Sequence, residues 1–159
     1  MAATRSAGIL VFRRTVDGGL EVLLAHMGGP FWQGRDDGAW SLPKGEYPPD
    51  EEPIDAARRE FEEELGLPVP DGELLPLGEA RQPSGKVVTA WAVDGDVDPE
   101  AITPGHFELE WPPRSGRTRS FPEIDRVAWF APGQARDKLV SGQRVFLDRL
   151  AGLDIPYRQ

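Results

Sequence analysis

Four residues in one short stretch, Arg59, Glu60, Glu63 and Glu64, carry the densest chemistry in the sequence. On a helix, Glu60 and Glu64 are one turn apart on the same side, and Glu63 stands beside them. Like charges at this spacing destabilise a helix by roughly 0.2–0.5 kcal/mol per pair. A bound cation relieves that repulsion. Hard divalent ions such as Mg2+ or Mn2+ take oxygen ligands and keep sites for water and phosphate oxygens. Arg59, four before Glu63, is placed to pair with it. An acidic helical run is more often a plain solvated face, and for EFEEEL alone that reading comes first. The segment Pro43-Lys44-Gly45, read as a Gly-containing turn, shifts the balance because its backbone carbonyl offers a further oxygen ligand.

These acids need a helix, and the flanking residues supply one. Pro53 suits a first helical turn, where its missing N–H has no partner, and Glu51 and Glu52 complement the helix dipole. Ile54, Ala57, Phe61 and Leu65 form one apolar stripe. Gly66 reads as a left-handed cap and Pro68 stops continuation, which predicts a helix over about 53–65.

Upstream, Ala7–Phe12 reads as a buried strand, Asp17-Gly18-Gly19 as a turn and Leu20–Ala25 as the hairpin partner. A Gly- and aromatic-rich loop spans Met27–Gly38, and Trp40–Leu42 is a brief strand halted by Pro43. Downstream, strands are expected at Leu74–Glu79, Lys86–Val93, Phe107–Trp111 and Val127–Phe130, with Pro112–Phe121 a polar, basic loop. Helices are expected at Pro132–Leu139 and Gln143–Leu150. Together these give one α/β domain over residues 1–159, a mixed sheet with helices on both faces.

The chain has 159 residues, 27 acidic against 18 basic, and a net charge of −9. That balance disfavours nucleic acid as a partner. Handling phosphates on such a surface calls for metal ions or local cations. The absence of cysteine excludes disulfides, thiolate metal sites and a cysteine nucleophile. Met1–Arg5 lacks a signal-peptide core and no apolar run approaches a membrane span, so a cytoplasmic, membrane-free protein is expected. Asp94–Asp98 fails the EF-hand pattern, with Pro99 at position six and Gly105 at position twelve. His26 and His106 stand alone and read as structural.

Gly45, Glu51, Arg59-Glu60, Glu63-Glu64 and Gly66, with apolar Phe61 and Leu67, match a complete Nudix box over 23 residues. Seven fixed types would coincide by chance on the order of once in a billion registers. The segment is therefore identified as resembling the Nudix hydrolases. The resemblance implies an α/β/α sandwich and hydrolysis of a nucleoside diphosphate linked to a group X, using one to three Mg2+ or Mn2+ ions. It implies that Glu60, Glu63 and Glu64 hold metal, together with the Lys44 backbone carbonyl. Arg59 would orient the glutamates, Glu51 would support the loop–helix junction, and Gly45 and Gly66 would be structural.

Outside the box, Glu123 is the candidate for a further acid, as ligand or base. It lies six residues before Trp129, a spacing that resembles dinucleoside polyphosphate hydrolases, as does Leu42-Pro43-Lys44-Gly45. Trp32, with Phe31 beside it, is the candidate base-stacking aromatic. Arg35, Lys44 and Lys86, with Arg81 and the arginines at 114, 117 and 119, are candidate phosphate cations; each also reads as a solvated side chain. The expected substrate is a nucleoside triphosphate or dinucleoside polyphosphate, with ADP-ribose or a nucleotide sugar as the alternative. A non-catalytic nucleotide sensor is the rival of another class. A monomer or homodimer is expected.

Overall fold

The computed structural model describes residues 4–153; Met1–Ala3, part of the segment read above for a leader, lie outside them. β1 (Arg5–Arg14) is the organising strand, paired antiparallel to β2 (Leu20–Met27) and parallel to β6 (Val87–Asp94). β5 (Leu75–Arg81) closes one side on β6, and β9 (Ile124–Phe130) closes the other on β2. The sheet is therefore mixed, as expected.

The two edges of β1 are used differently. β6 runs along β1 from Arg5 to Phe12, so β2 and β4 (Lys44–Glu46) must share the other edge of β1. β2 pairs there at Phe12–Arg14 and β4 at Ser6–Gly8. The β1–β2 hairpin thus splays apart, and β3 (Trp40–Ser41) and β4 fill the split from the two sides. Pro43-Lys44-Gly45 was expected as a turn. Lys44 and Gly45 are instead strand, because the edge of β1 beyond the hairpin pairs with them. Gly8 makes the approach close enough: a Cβ there would lie 2.7 Å from the Lys44 Cβ and nearer still to Leu42 and the Pro43 carbonyl.

β1 is buried on both faces, which is why it reads as a continuous apolar run. Leu10 and Phe12 face one core with Val22, Leu24, Leu139, Phe146 and Leu150. Ile9 and Val11 face the other with Leu23, Ala57, Phe61 and Leu65. The first core is covered by α2 (Pro132–Lys138) and α3 (Arg144–Ala151), the second by α1 (Pro53–Leu65). α1 has the bounds expected, with Gly66 at φ 69° as its cap and its N–H donating to the Glu62 carbonyl. Ile54 departs from the expected stripe. It is 37% exposed, while Ala56 is buried, because the packed face of α1 begins after the first turn.

The expected basic loop Pro112–Phe121 is also corrected. Its second half enters β8 (Thr118–Pro122), which pairs with β7 (His106–Glu110) as a separate hairpin. Thr118, Arg119 and Ser120 are exposed, so no apolar alternation betrayed the strand.

Candidate active site

The split in the sheet aims backbone at the acidic helix. Ile9 N–H donates to the Pro43 carbonyl at 3.1 Å and Tyr47 N–H to the Arg5 carbonyl at 3.2 Å. In an antiparallel ladder the alternate residues, here Lys44 and Glu46, turn their N–H and C=O away from β1. The Lys44 N–H accordingly faces the Glu64 carboxylate and favours its charged form. Its carbonyl projects from the same outward edge of β4, where the sequence reading wanted an oxygen ligand.

Gly45 is the next contact point. The Glu60 side chain lies directly over it: a Cβ at Gly45 would fall 2.7 Å from Glu60 Cγ and overlap the carboxylate. Arg59 organises the rest. It grips Glu51 with both Nε and Nη2, at 2.9 and 2.7 Å, and gives Nη1 to Glu60 at 2.8 Å and to Glu63 at 3.2 Å. Its hydrogen bonds to these carboxylates, chiefly Glu51, hold the guanidinium pKa well above its ordinary range, and Glu51 is held low in return.

The three box glutamates are not equivalent. The Glu63 side chain is 58% exposed. Glu60 is partly buried and Glu64 is 8% exposed. Burial raises the Glu60 pKa, against the pull of Arg59. Burial pushes Glu64 up to about 8, opposed by Lys44 and reinforced by Glu123 and Glu60. Glu123 thus acts on both buried acids through space. It is held by its N–H on the Gly105 carbonyl at 2.8 Å and its carbonyl on the Gly28 N–H at 3.0 Å. Its carboxylate lies near Gly105, beside the C-terminal end of α1. Among the described residues the acids do not form a ready three-ligand cage; Arg59 draws Glu60 and Glu63 toward itself. The donors are nevertheless all oxygen and mutually repelling, with Glu60 and Glu64 shielded from solvent, which fits a hard divalent cation.

The raised Glu64 pKa has a stability consequence. From its ordinary 4.5 up to about 8, the folded protein holds a proton that the unfolded chain releases. This contribution is full below the lower value and is lost as pH rises through that window, by at most about 1.4 kcal/mol per unit. The Lys44 shift, downward through burial and repulsion by Lys86, acts in the opposite sense below 10.5. The metal-free Tm is expected to fall between pH 5 and 7 by calorimetry, and Glu64→Gln to flatten that slope.

A cavity of about 610 Å³ opens beside Lys44. Trp32, Lys44 and Lys86, three of the expected substrate contacts, line it together. Arg35 does not line it: its guanidinium lies 5.8 Å from the Trp32 ring, and its carbonyl accepts from the buried His26 Nε2 at 2.6 Å. Arg114, Arg117 and Arg119 sit on the β7–β8 hairpin and its tip, outside the lining. Phe31 stacks edge-on against Trp111 of that tip.

The sequence reading missed Gln143, which is fully buried on the 3-10 turn Ser141–Gln143. Its Oε1 accepts from the Leu42 N–H at 3.0 Å, and its Nε2 donates to Ser41 Oγ at 3.0 Å and to Gln82 Oε1 at 3.2 Å. It ties the strand leading to Lys44 to the β5–β6 turn, two walls of the cavity. Nothing local marks it, since its partners lie 61 to 102 residues away. Gln143→Ala orphans the Leu42 N–H and is expected to destabilise the protein by about 2–4 kcal/mol in urea unfolding.

A family model described as NUDIX domain matches residues 3–150. Comparison with curated proteins gives no match. Among solved structures, the fold is similar to a C. elegans Ap4A hydrolase binary complex, at 18% identity and TM-score 0.65, covering 92% of this chain and 96% of that one. It is similar to the NUDIX domain of Shewanella oneidensis NrtR complexed with ADP ribose, at 15% identity and TM-score 0.63, covering 96% and 88%. It is also similar to the Nudix hydrolase RenU of M. smegmatis, at 23% identity and TM-score 0.63, covering 98% and 90%. With the box intact and the family model spanning nearly the whole length, the chain belongs to the Nudix family.

Proposed function

We propose that this chain is a single-domain hydrolase that cuts a phosphoanhydride bond in a nucleoside diphosphate linked to X, with a nucleoside triphosphate or dinucleoside polyphosphate as substrate. One observation carries the reading: Glu60, Glu64 and Glu123 act on one another through space, and Lys44, which faces Glu60 and Glu64, also lines a cavity with the cations Lys86 and Arg144. Glu60, Glu64, the Lys44 carbonyl and Glu123 would hold Mg2+ or Mn2+, with Glu63 joining if it leaves Arg59. The metal, when bound, supplies a Lewis acid for phosphoryl oxygens and lowers the pKa of a bound water.

The chain's own residues do the positioning. Arg59 holds Glu60 in place and keeps Glu51 at the loop–helix junction, so the acids do not collapse onto solvent-facing rotamers. Gly45 leaves the room that Glu60 occupies. Lys44 keeps a positive charge beside Glu64 and next to the cavity where phosphate would sit. Trp32 offers a flat apolar face in the same cavity for a base. Glu123 is the base candidate, since its carboxylate belongs to the cluster yet comes from a different element.

Since the ligands must ionise, divalent binding releases protons and strengthens with pH. The Tm gain on adding Mg2+ or Mn2+ is expected to grow from pH 6 to 8. A hydrolysis screen across nucleoside triphosphates, oxidised nucleotides, dinucleoside polyphosphates, ADP-ribose and sugar nucleotides tests the assignment, and the product pair identifies the phosphorus attacked. Turnover of ADP-ribose alone would favour the second substrate class, for which the ADP ribose complex of the S. oneidensis relative is the supporting observation. Tight nucleotide binding with no turnover anywhere in the screen would favour a sensor. Among the described residues no helix is long and apolar enough to cross a membrane.

A further inference from the structure

The cavity is lined by Lys44, Lys86 and Arg144, by the hydroxyls of Ser41, Ser84 and Ser141, and by the amides of Gln82 and Gln143. No Asp or Glu lines it, in a chain where acidic residues outnumber basic ones 27 to 18. The three cations are not equally free. Lys44 faces the acids of the cluster, and Lys86 Nζ is paired with Glu46 Oε1 at 3.0 Å. Arg144 forms no ion pair among the described residues, and its Nε is buried without a hydrogen-bond partner. With no ion pair to neutralise it and no acidic residue in the lining around it, Arg144 is the cavity cation with most to gain from an anion bound there.

We propose that this cavity takes the phosphate chain of the substrate, and that Arg144 selects polyphosphates over substrates whose X group is an uncharged sugar. The inference deepens the nucleotide reading above and rests on it for the identity of the substrate. Arg144 starts α3, far in sequence from the box, and Gln143 beside it anchors that segment to Ser41 and Gln82. The charge reader is thereby fixed relative to Lys44, which joins the cavity to the acid cluster. A guanidinium meets phosphate oxygens through directed, charge-assisted hydrogen bonds, which a neutral ribose or hexose does not reproduce.

Calorimetric titration of the chelator-treated full chain with inorganic tripolyphosphate tests this without turnover. Wild type is expected to bind, Arg144→Gln to bind at least tenfold more weakly, and Arg144→Lys to fall between them. In steady-state kinetics, Arg144→Gln is expected to raise KM for ATP about tenfold with kcat little changed. The ratio of kcat/KM for ATP to that for ADP-ribose should fall by a similar factor. Folded Arg144→Gln or Arg144→Lys protein that binds tripolyphosphate within twofold of wild type overturns the proposal, whatever the hydrolysis screen shows. Arg144-dependent binding in a protein that hydrolyses nothing would leave the phosphate-binding cavity standing and remove the hydrolase reading.

Discussion

Glu64→Gln is expected to lower kcat by about a thousandfold or more while the protein stays folded. Glutamine keeps the volume of a side chain that is 8% exposed, so the packing of α1 on β4 is preserved. What it removes is the capacity to become an anion. The carboxyl is held up to about 8 by burial, so it is the group that gains most from a cation replacing its proton. Metal stabilisation of developing phosphoryl charge is worth several kcal/mol, and each 1.36 kcal/mol is tenfold in rate. The same variant should lose the Tm gain on adding Mg2+, measured by scanning calorimetry. Turnover within tenfold of wild type would remove Glu64 from the metal site.

The second large effect belongs to a residue with no chemistry of its own. Gly45→Ala places a methyl group where the Glu60 carboxylate lies, so Glu60 must move or β4 must part from β1. Displacing a catalytic group by about 1 Å costs on the order of a hundredfold in rate. We expect kcat to fall by about that factor, with circular dichroism unchanged and metal affinity reduced. Gly133→Ala, at a position with open space around it, is the matched control and should leave kcat within twofold. Equal losses in the two variants would show that the effect is not local to Glu60.

The two cases mark how far local pattern reaches. α1 was readable to the residue because its signals are all local: Pro53 opens it, Gly66 closes it and the 3.6 period of Ala57, Phe61 and Leu65 buries it. The apolar strands β1, β2 and β6 were readable within a residue or two for the same reason. β8 was not, because an exposed polar strand is held only by its partner β7. Nor was β4, which is strand only because the far half of β1 needs an edge partner.

The sequence by itself determined the acidic helix face proposed to hold the metal, since residue types at fixed helical spacing place carboxylates on one face whatever surrounds them. It also named Glu123, Trp32, Lys44 and Lys86. Only the tertiary structure decided how these divide. Burial separates Glu64 from the exposed Glu63, although both lie on one helix turn. Long-range pairing brings Lys86 and Arg144 to one cavity with Lys44 and leaves Arg35 outside it. Spacing along a chain fixes neighbours within one element; desolvation and contacts between distant elements are properties of the packed sheet, and they set which acid carries a raised pKa and which cavity cation forms no ion pair among the described residues.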